Sequence, residues 1–582
     1  MSIVKKWMLA AILICGALII VTACKNGKKS VNETNDGDNM EENLKAQYGE
    51  NKKITDDRST SGRLQGKNYD KTLAVKCING TFVGKKTMVS TNRSENIIAY
   101  KGIPFVGQQP VGNLRWKAPV DYVPDDGVYE AYYNGKTALQ PEGDPSTLYV
   151  QGEDCLYLNV WKTDEATTEK KPVMVWIYGG GFETGGTVDP QYDCYNFIEE
   201  NPDVIIVTIA YRVGVIGFFH LSHLPDGKDY PDAQNLALLD QKMALKWVHE
   251  NIAGFGGDPD NVTIWGESAG GASCTLLPLV EGTQKYFKRI ITQSGAPAQT
   301  RSTQEAIECT NDVMKELGCK TVADLMKIDP AEIVSTAARM FGMYQVLGVR
   351  TFPERDGKIL PVDTWKAYAD GAAKDIVFLQ GCNKDEMNTF AASLGAEGWN
   401  AWAADRMSKK FSKFSDEEKA LVKSYINDWQ GESWEATARV FSQNWFIAPQ
   451  IRLSEEQTKA GGKSYTYYFT AESAVPMIKS GHAIELSAVF NHPELTDLTG
   501  RAFDATFSKT IRKMWVQFAK TGNPSLTAEQ SPDGKAHEWP LYDLGDKQVM
   551  VLDEKDIHPV KETELKIVDW KKSYFLTNYY IL

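Results

Sequence analysis

Short apolar runs recur along this chain, each bounded by polar or glycine-rich stretches. Residues 173–178 (VMVWIY), 204–209 (VIIVTI) and 262–265 (VTIW) are dense in β-branched and aromatic side chains. Residues 288–293, 375–380 and 464–469 repeat the pattern later. Runs of this length and composition predict strands, and their near-continuous apolarity predicts strands covered on both faces. Between them, residues 234–252 carry Leu236, Leu239, Met243, Leu245 and Trp247 at near-helical spacing, which predicts a helix. Strands alternating with helices predict an α/β fold with a mostly parallel central sheet flanked by helices. Residues 305–350 and 395–450 read as mostly helical insertions, suited to covering a site at the strand ends.

The amino terminus has a different pattern. Lys5 and Lys6 precede an apolar run from Trp7 to Ile20. A membrane-spanning helix needs about 20 residues, so this run suits a signal-peptide core instead. It ends at Val21-Thr22-Ala23-Cys24, which resembles a bacterial lipobox with the cysteine as lipid acceptor. Residues 1–23 are therefore expected to be a lipoprotein signal peptide. Cys24 is expected to anchor the protein to the outer face of a bacterial membrane. Residues 24–70 are polar and read as a flexible tether, too poor in apolar surface to offset the entropy of ordering. Residues 71–582 are then the folded α/β domain.

Charge and cysteine content narrow the function. A formal charge of −12, a pI near 5.3 and no dense basic patch argue against nucleic-acid binding. Beyond Cys15 and Cys24, the cysteines are Cys77, Cys155, Cys194, Cys274, Cys309, Cys319 and Cys382. No C-x-x-C or Cys/His ligand spacing appears, so no metal site and no cofactor is expected. Cys309 and Cys319 flank a helical stretch of about 15 Å, too long for a disulfide. These thiols read as mostly buried and free.

The candidate chemistry centres on Phe255-Gly-Gly-Asp-Pro-Asp-Asn-Val-Thr-Ile-Trp-Gly-Glu-Ser268-Ala-Gly270. A predicted strand runs straight into G-x-S-x-G, the signature of a sharp strand-to-helix turn that exposes a serine hydroxyl. Such a hydroxyl needs a base, and that base needs a carboxylate. In this arrangement the acid and then the histidine follow the serine in sequence. His482 lies in a glycine-containing loop, Lys479-Ser-Gly-His-Ala-Ile-Glu485, whereas His492, His537 and His558 sit in settings that read as surface. Asp385 and Glu386 both lie just past a predicted strand end, where open α/β sheets place their sites, and spacing leaves them tied. Tyr178-Gly-Gly-Gly-Phe182 follows another strand and offers backbone N–H groups for an oxyanion; the Lys-Ser/Thr of a phosphate loop is missing.

In combination these residues resemble the type B carboxylesterase family, the α/β-hydrolase group that includes the cholinesterases. Further matching landmarks are Lys101-Gly-Ile-Pro-Phe105, Pro110-Val-Gly-Asn-Leu-Arg-Trp116, Glu153-Asp-Cys-Leu-Tyr-Leu-Asn-Val160, Tyr211-Arg212, Gln293-Ser-Gly295 and residues 515–524, in family order over roughly 72 to 582. The resemblance implies the α/β-hydrolase fold and a serine carboxylester hydrolase acting on a small-molecule ester. It implies Ser268 as nucleophile, His482 as base and Glu386, rather than Asp385, as its acid. It implies the N–H groups of Gly180, Gly181 and Ala269 as the oxyanion hole, with Glu267 and Ser294 beside the triad. The family often pairs the E-D-C-L cysteine with an earlier one, but that place is taken here by Ala138, leaving Cys155 without a partner. No Trp occurs between Ala138 and Cys155, where cholinesterases carry a choline-binding one, so choline esters are not expected as substrates. An inactive cell-surface binding or adhesion protein of the same fold is the rival reading, which predicts a broken triad. A lipase or aryl-esterase specialisation is the narrower one.

Overall fold

The computed structural model describes residues 63–64, 66–86, 96–141, 150–165, 169–341, 351–411, 415–427, 433–565 and 567. The apolar run before Cys24, and Cys24 itself, lie outside the described residues. Arg63 already bridges to Tyr129, and Leu64 is buried with its N–H on Val128 O.

An eleven-stranded sheet runs through the molecule. Its strands in chain order are β1 (Lys85–Lys86), β2 (Ile97–Pro104), β3 (Tyr157–Thr163), β4 (Lys171–Ile177), β5 (Ile205–Ile209) and β6 (Gly257–Glu267). They continue with β7 (Arg289–Gln293), β8 (Val377–Asn383), β9 (Lys463–Phe469), β10 (Gln548–Leu552) and β11 (Ile557–Lys561). The spatial order is β11-β10-β9-β8-β7-β6-β4-β5-β3-β2-β1. Pairings from β10 through β5 are parallel, whereas β3, β2 and β1 at one edge and β11 at the other join antiparallel. The parallel strands are the continuous apolar runs: every residue of β5, and residues 262–267 of β6, are buried. Helices cover both faces of such a sheet, so no polar side is needed.

Helix boundaries follow local chemistry. Ser302 and Glu305 form a reciprocal capping box that starts Thr303–Glu316. Asp504 caps Ala505–Thr521, which stops at Gly522 in the left-handed region, φ 79°. The 234–252 pattern is realised as Leu236–Asn251. In the first insertion, Thr303–Glu316 and Pro330–Phe341 pack with Trp116, Val215 and Phe219 in a satellite core. The second insertion, led by Met387–Phe411, reaches the candidate site through Phe390 and Phe446.

The motifs that resemble family landmarks prove to be partners in space. Arg115 of Leu114-Arg-Trp116 pairs with Glu153 of Glu153-Asp-Cys155, both nearly buried. Asn159 Oδ1 accepts from the N–H of Gly102, 2.9 Å, joining the E-D-C-L stretch to the Lys101–Phe105 stretch. Arg212 and Asp240 form a bidentate pair, 2.6 and 2.8 Å, with side chains at most 1% exposed. Cys77, Cys155, Cys194, Cys274, Cys309, Cys319 and Cys382 are all buried free thiols.

Candidate active site

The site lies at the carboxyl ends of the parallel strands, where each chain leaves the sheet for a loop or helix. Ser268 follows directly on β6 and caps the helix Ala269–Leu276. Its backbone sits at φ 55°, ψ −122°, a conformation that costs an L-residue about 1–3 kcal/mol and persists only under constraint from its surroundings. The constraint is visible. The N–H of Ser268 donates to Gln293 O, 2.8 Å, and Ser268 O accepts from Ala272 N, 2.8 Å. A Cβ on Gly270 would fall 1.9 Å from Ile177 O, so the helix rests directly on β4 and only glycine fits.

β4 runs into Tyr178-Gly-Gly-Gly-Phe182. Tyr178 stacks on Tyr211 at 4.2 Å, and each hydroxyl donates to the other's carbonyl, 2.8 and 2.7 Å. Gln140 holds the far side of the loop by exchanging two 2.9 Å hydrogen bonds with the backbone of Gly185. Gly180 and Gly181 have φ 106° and 62°. Among the described residues no acceptor takes their N–H groups. Ala269 opens its helix, so its N–H has no intrahelical acceptor either. A Cβ on Gly179 would touch Ser268 Cβ at 3.1 Å, which sets loop and serine side by side.

Glu386 leaves β8 fully buried. Its Oε1 accepts from Ser294 Oγ, 2.6 Å, and from Asn383 N, 2.8 Å. Its Oε2 lies 2.5 Å from His482 Nδ1. That contact places the proton on Nδ1 and leaves Nε2 as the free base position. Asp385 takes no part; it lines a cavity of about 670 Å³ with Lys384, Arg439 and Arg501. The loop bearing His482 is tied by His482 N to Glu386 O, 3.1 Å, and by Thr389 Oγ1 to His482 O, 3.1 Å. Phe446 and Phe390 pack on the imidazole at 4.7 and 5.3 Å between ring centroids. Phe446 belongs to a π-helical turn, Gln443–Ile447, a form that recurs at functional sites.

Glu267 precedes the serine and is also buried. Its Oε1 stands 3.1 Å from His482 Nε2, close but not aligned as a hydrogen bond. Ser268 Oγ makes no hydrogen bond to the ring among the described contacts, and such bonds commonly tighten only with substrate present. Burial raises the Glu267 carboxyl to about 8, against the opposing pull of His482. Burial alone would lower the His482 imidazole, but Glu267 and Glu386 outweigh it and raise the ring to about 9. Glu267 and His482 thus perturb each other's ionisation and titrate as a coupled pair.

A third buried carboxyl, Glu485, accepts from Gln293 Nε2, 2.9 Å, and from Asn383 Nδ2, 2.6 Å. Burial raises its pKa. Gln293 is the hub: its carbonyl holds Ser268 N, and its Oε1 accepts from Trp265 and Trp515, 2.7 and 3.1 Å. Sequence reasoning named neither Glu485 nor Asn383 as site residues, nor Phe390, Phe446 and Thr389. Only Glu485 had a signal, since it closes the loop that carries His482.

All the sequence-predicted residues converge here: Ser268, Glu386, His482, Gly180, Gly181, Ala269, Glu267 and Ser294. Two expectations about other histidines need correction. His492 and His537 are buried rather than on the surface, because their ring nitrogens are satisfied by Glu494, Asp193 O and Asp533. His558 is about half exposed, as expected.

The fold and its strand-end loops define an ester hydrolase of the α/β-hydrolase class. The model of the carboxylesterase family matches residues 70–568, and the chain belongs to that family. It is 33% identical over 475 residues to the para-nitrobenzyl esterase of Bacillus subtilis, covering 78% of this chain and 91% of that protein. It is 31% identical over 497 residues to the cholinesterase of Mus musculus, covering 78% and 79%. Among solved structures, a Geobacillus stearothermophilus carboxylesterase superimposes with a TM-score of 0.74 at 30% identity, covering 87% of this chain and 100% of that one.

Proposed function

We propose that this protein hydrolyses carboxylic esters through an acyl-enzyme on Ser268. The observation that carries the reading is the Glu386–His482 contact beside a strained Ser268, facing the unpaired N–H groups of Gly180 and Gly181. His482 Nε2 takes the Ser268 proton as Oγ attacks the ester carbonyl. The N–H groups of Gly180, Gly181 and Ala269 receive the charge that develops on the carbonyl oxygen. Nε2 then protonates the departing alcohol, and the same groups activate water to release the acid. Glu386 holds the ring's tautomer and stabilises its charged form, with Ser294 steadying the carboxylate. The presence of Ser268, His482 and Glu386 together disfavours the inactive adhesion reading. The absence of a Trp between Ala138 and Cys155 argues against choline esters.

The test is hydrolysis of a short-chain 4-nitrophenyl ester by protein lacking residues 1–23, with Ser268→Ala beside it. Loss of turnover in the variant is expected; equal turnover would remove the mechanism. We also propose that Cys24 carries a lipid that holds the enzyme on the outer face of a bacterial membrane. Cys24→Ala should then move the protein from the membrane to the soluble fraction, and unchanged membrane association would refute the anchor.

A further inference from the structure

A second serine, histidine and glutamate meet outside the candidate site. Ser222 Oγ lies 3.1 Å from His220 Nε2, and His220 Nδ1 lies 2.8 Å from Glu354 Oε2. Glu354 is fully buried, and its Oε1 accepts from Thr303 Oγ1, 2.6 Å. Asn235 fixes the backbone of Glu354 from both sides, accepting from its N–H at 2.8 Å and donating to its carbonyl at 2.9 Å. His220 is buried and Ser222 is exposed. Thr303 Oγ1 donates to the carboxylate, and in a neutral ring carrying its proton on Nδ1 toward Glu354, Nε2 accepts from the Ser222 hydroxyl. Among the described residues the backbone N–H groups of Ser222 and His223 have no acceptor, which leaves two donors beside the hydroxyl.

We propose that Ser222, His220 and Glu354 form a second nucleophilic centre that accepts the acyl group of activated carboxylic esters. In the step, Ser222 Oγ bonds to the carbonyl carbon while its proton passes to His220 Nε2. The bond to the aryl oxygen breaks, the phenolate leaves with the electron pair, and the ring's added proton goes to water or to the phenolate. Glu354 stabilises the imidazolium between the two events. The products are an O-acyl serine and a free phenol.

A purely structural role is the competing account. Phe218, two residues before His220, packs on Phe182 of the glycine loop at 5.3 Å, and Thr351 donates to Glu183 of the same loop, 2.9 Å. A brace of this kind predicts no covalent chemistry at Ser222.

The test uses full-length Ser268→Ala protein treated with 4-nitrophenyl acetate, with acetylated residues located by peptide mass spectrometry over time. Ser335 serves as internal control, because it is exposed and its hydroxyl only donates to the carbonyl of Glu332. Ser222 should acetylate at least about 10²-fold faster than Ser335, the usual contribution of a positioned general base. His220→Gln in the same background should slow Ser222 labelling about 10²-fold. Equal labelling of Ser222 and Ser335, or no acetyl at Ser222, would overturn the proposal without reference to any variant that fails to fold. Unchanged labelling in a folded His220→Gln protein would overturn it as well.

Discussion

Replacing Glu267 by Gln should move the acid limb of the pH profile of kcat/KM toward lower pH. Glu267 Oε1 and His482 Nε2 stand 3.1 Å apart in a buried setting and perturb each other's ionisation. Ester hydrolysis through Nε2 requires a neutral ring, so activity rises as pH climbs through the pair's titration. Removing the carboxylate charge destabilises the imidazolium and lowers the pH at which the base becomes free. At an effective dielectric of about 20, a unit charge at this separation interacts with about 5 kcal/mol, which is a ceiling. Glu267 is itself raised to about 8, below the ring's value of about 9, so it is mostly ionised where the ring titrates. An opposite charge at short range ordinarily shifts a pKa by about 1–3 units, and the expected movement is of that size. Gln keeps the shape and polarity of the side chain, so packing around Gly179 is preserved. The assay is kcat/KM for a 4-nitrophenyl ester between acidic and alkaline pH, with melting followed at each pH. An unmoved acid limb in a folded variant, or movement toward higher pH, would refute the coupled ionisation of Glu267 and His482.

The remaining expectations concern the other supports of the site. Glu386→Gln should lower kcat about 10²–10⁴-fold with little change in KM, because the amide can hold Nδ1 in the wrong tautomer and no longer stabilises the charged ring; steady-state kinetics measure it. Gly270→Ala places a methyl 1.9 Å from Ile177 O, so it should cost at least about 1–3 kcal/mol and displace the glycine loop; lowered melting temperature together with reduced kcat checks this. Asp240→Asn strands the Arg212 guanidinium in a buried position and should cost about 3–5 kcal/mol, read from denaturation midpoints, while leaving the identity of the nucleophile unchanged.

Some features of this protein follow from the sequence alone, because they rest on local pattern. Continuous apolar runs predict buried parallel strands, and 173–178, 204–209 and 464–469 are found as β4, β5 and β9 within a few residues. The 262–265 pattern predicts a strand ending at Trp265, and β6 extends to Glu267, directly against Ser268. The elbow and the glycine loop are legible because a forced backbone conformation demands small residues at fixed spacing. Spacing leaves Asp385 and Glu386 tied; family resemblance favours Glu386, and the structure sets Glu386, not Asp385, against Nδ1 of the imidazole.

What only the tertiary structure decides involves partners far apart in the chain. His492 and His537 look polar locally, yet burial is tolerated because Asp193 O, Glu494 and Asp533 satisfy their rings. Glu485, Asn383 and Gln293 form one buried network drawn from three separate strands and loops, and no local pattern announces it. The coupled ionisation of Glu267 and His482 has the same origin. Two residues 215 positions apart in sequence acquire perturbed ionisation only when folding removes water from both and sets them 3.1 Å apart.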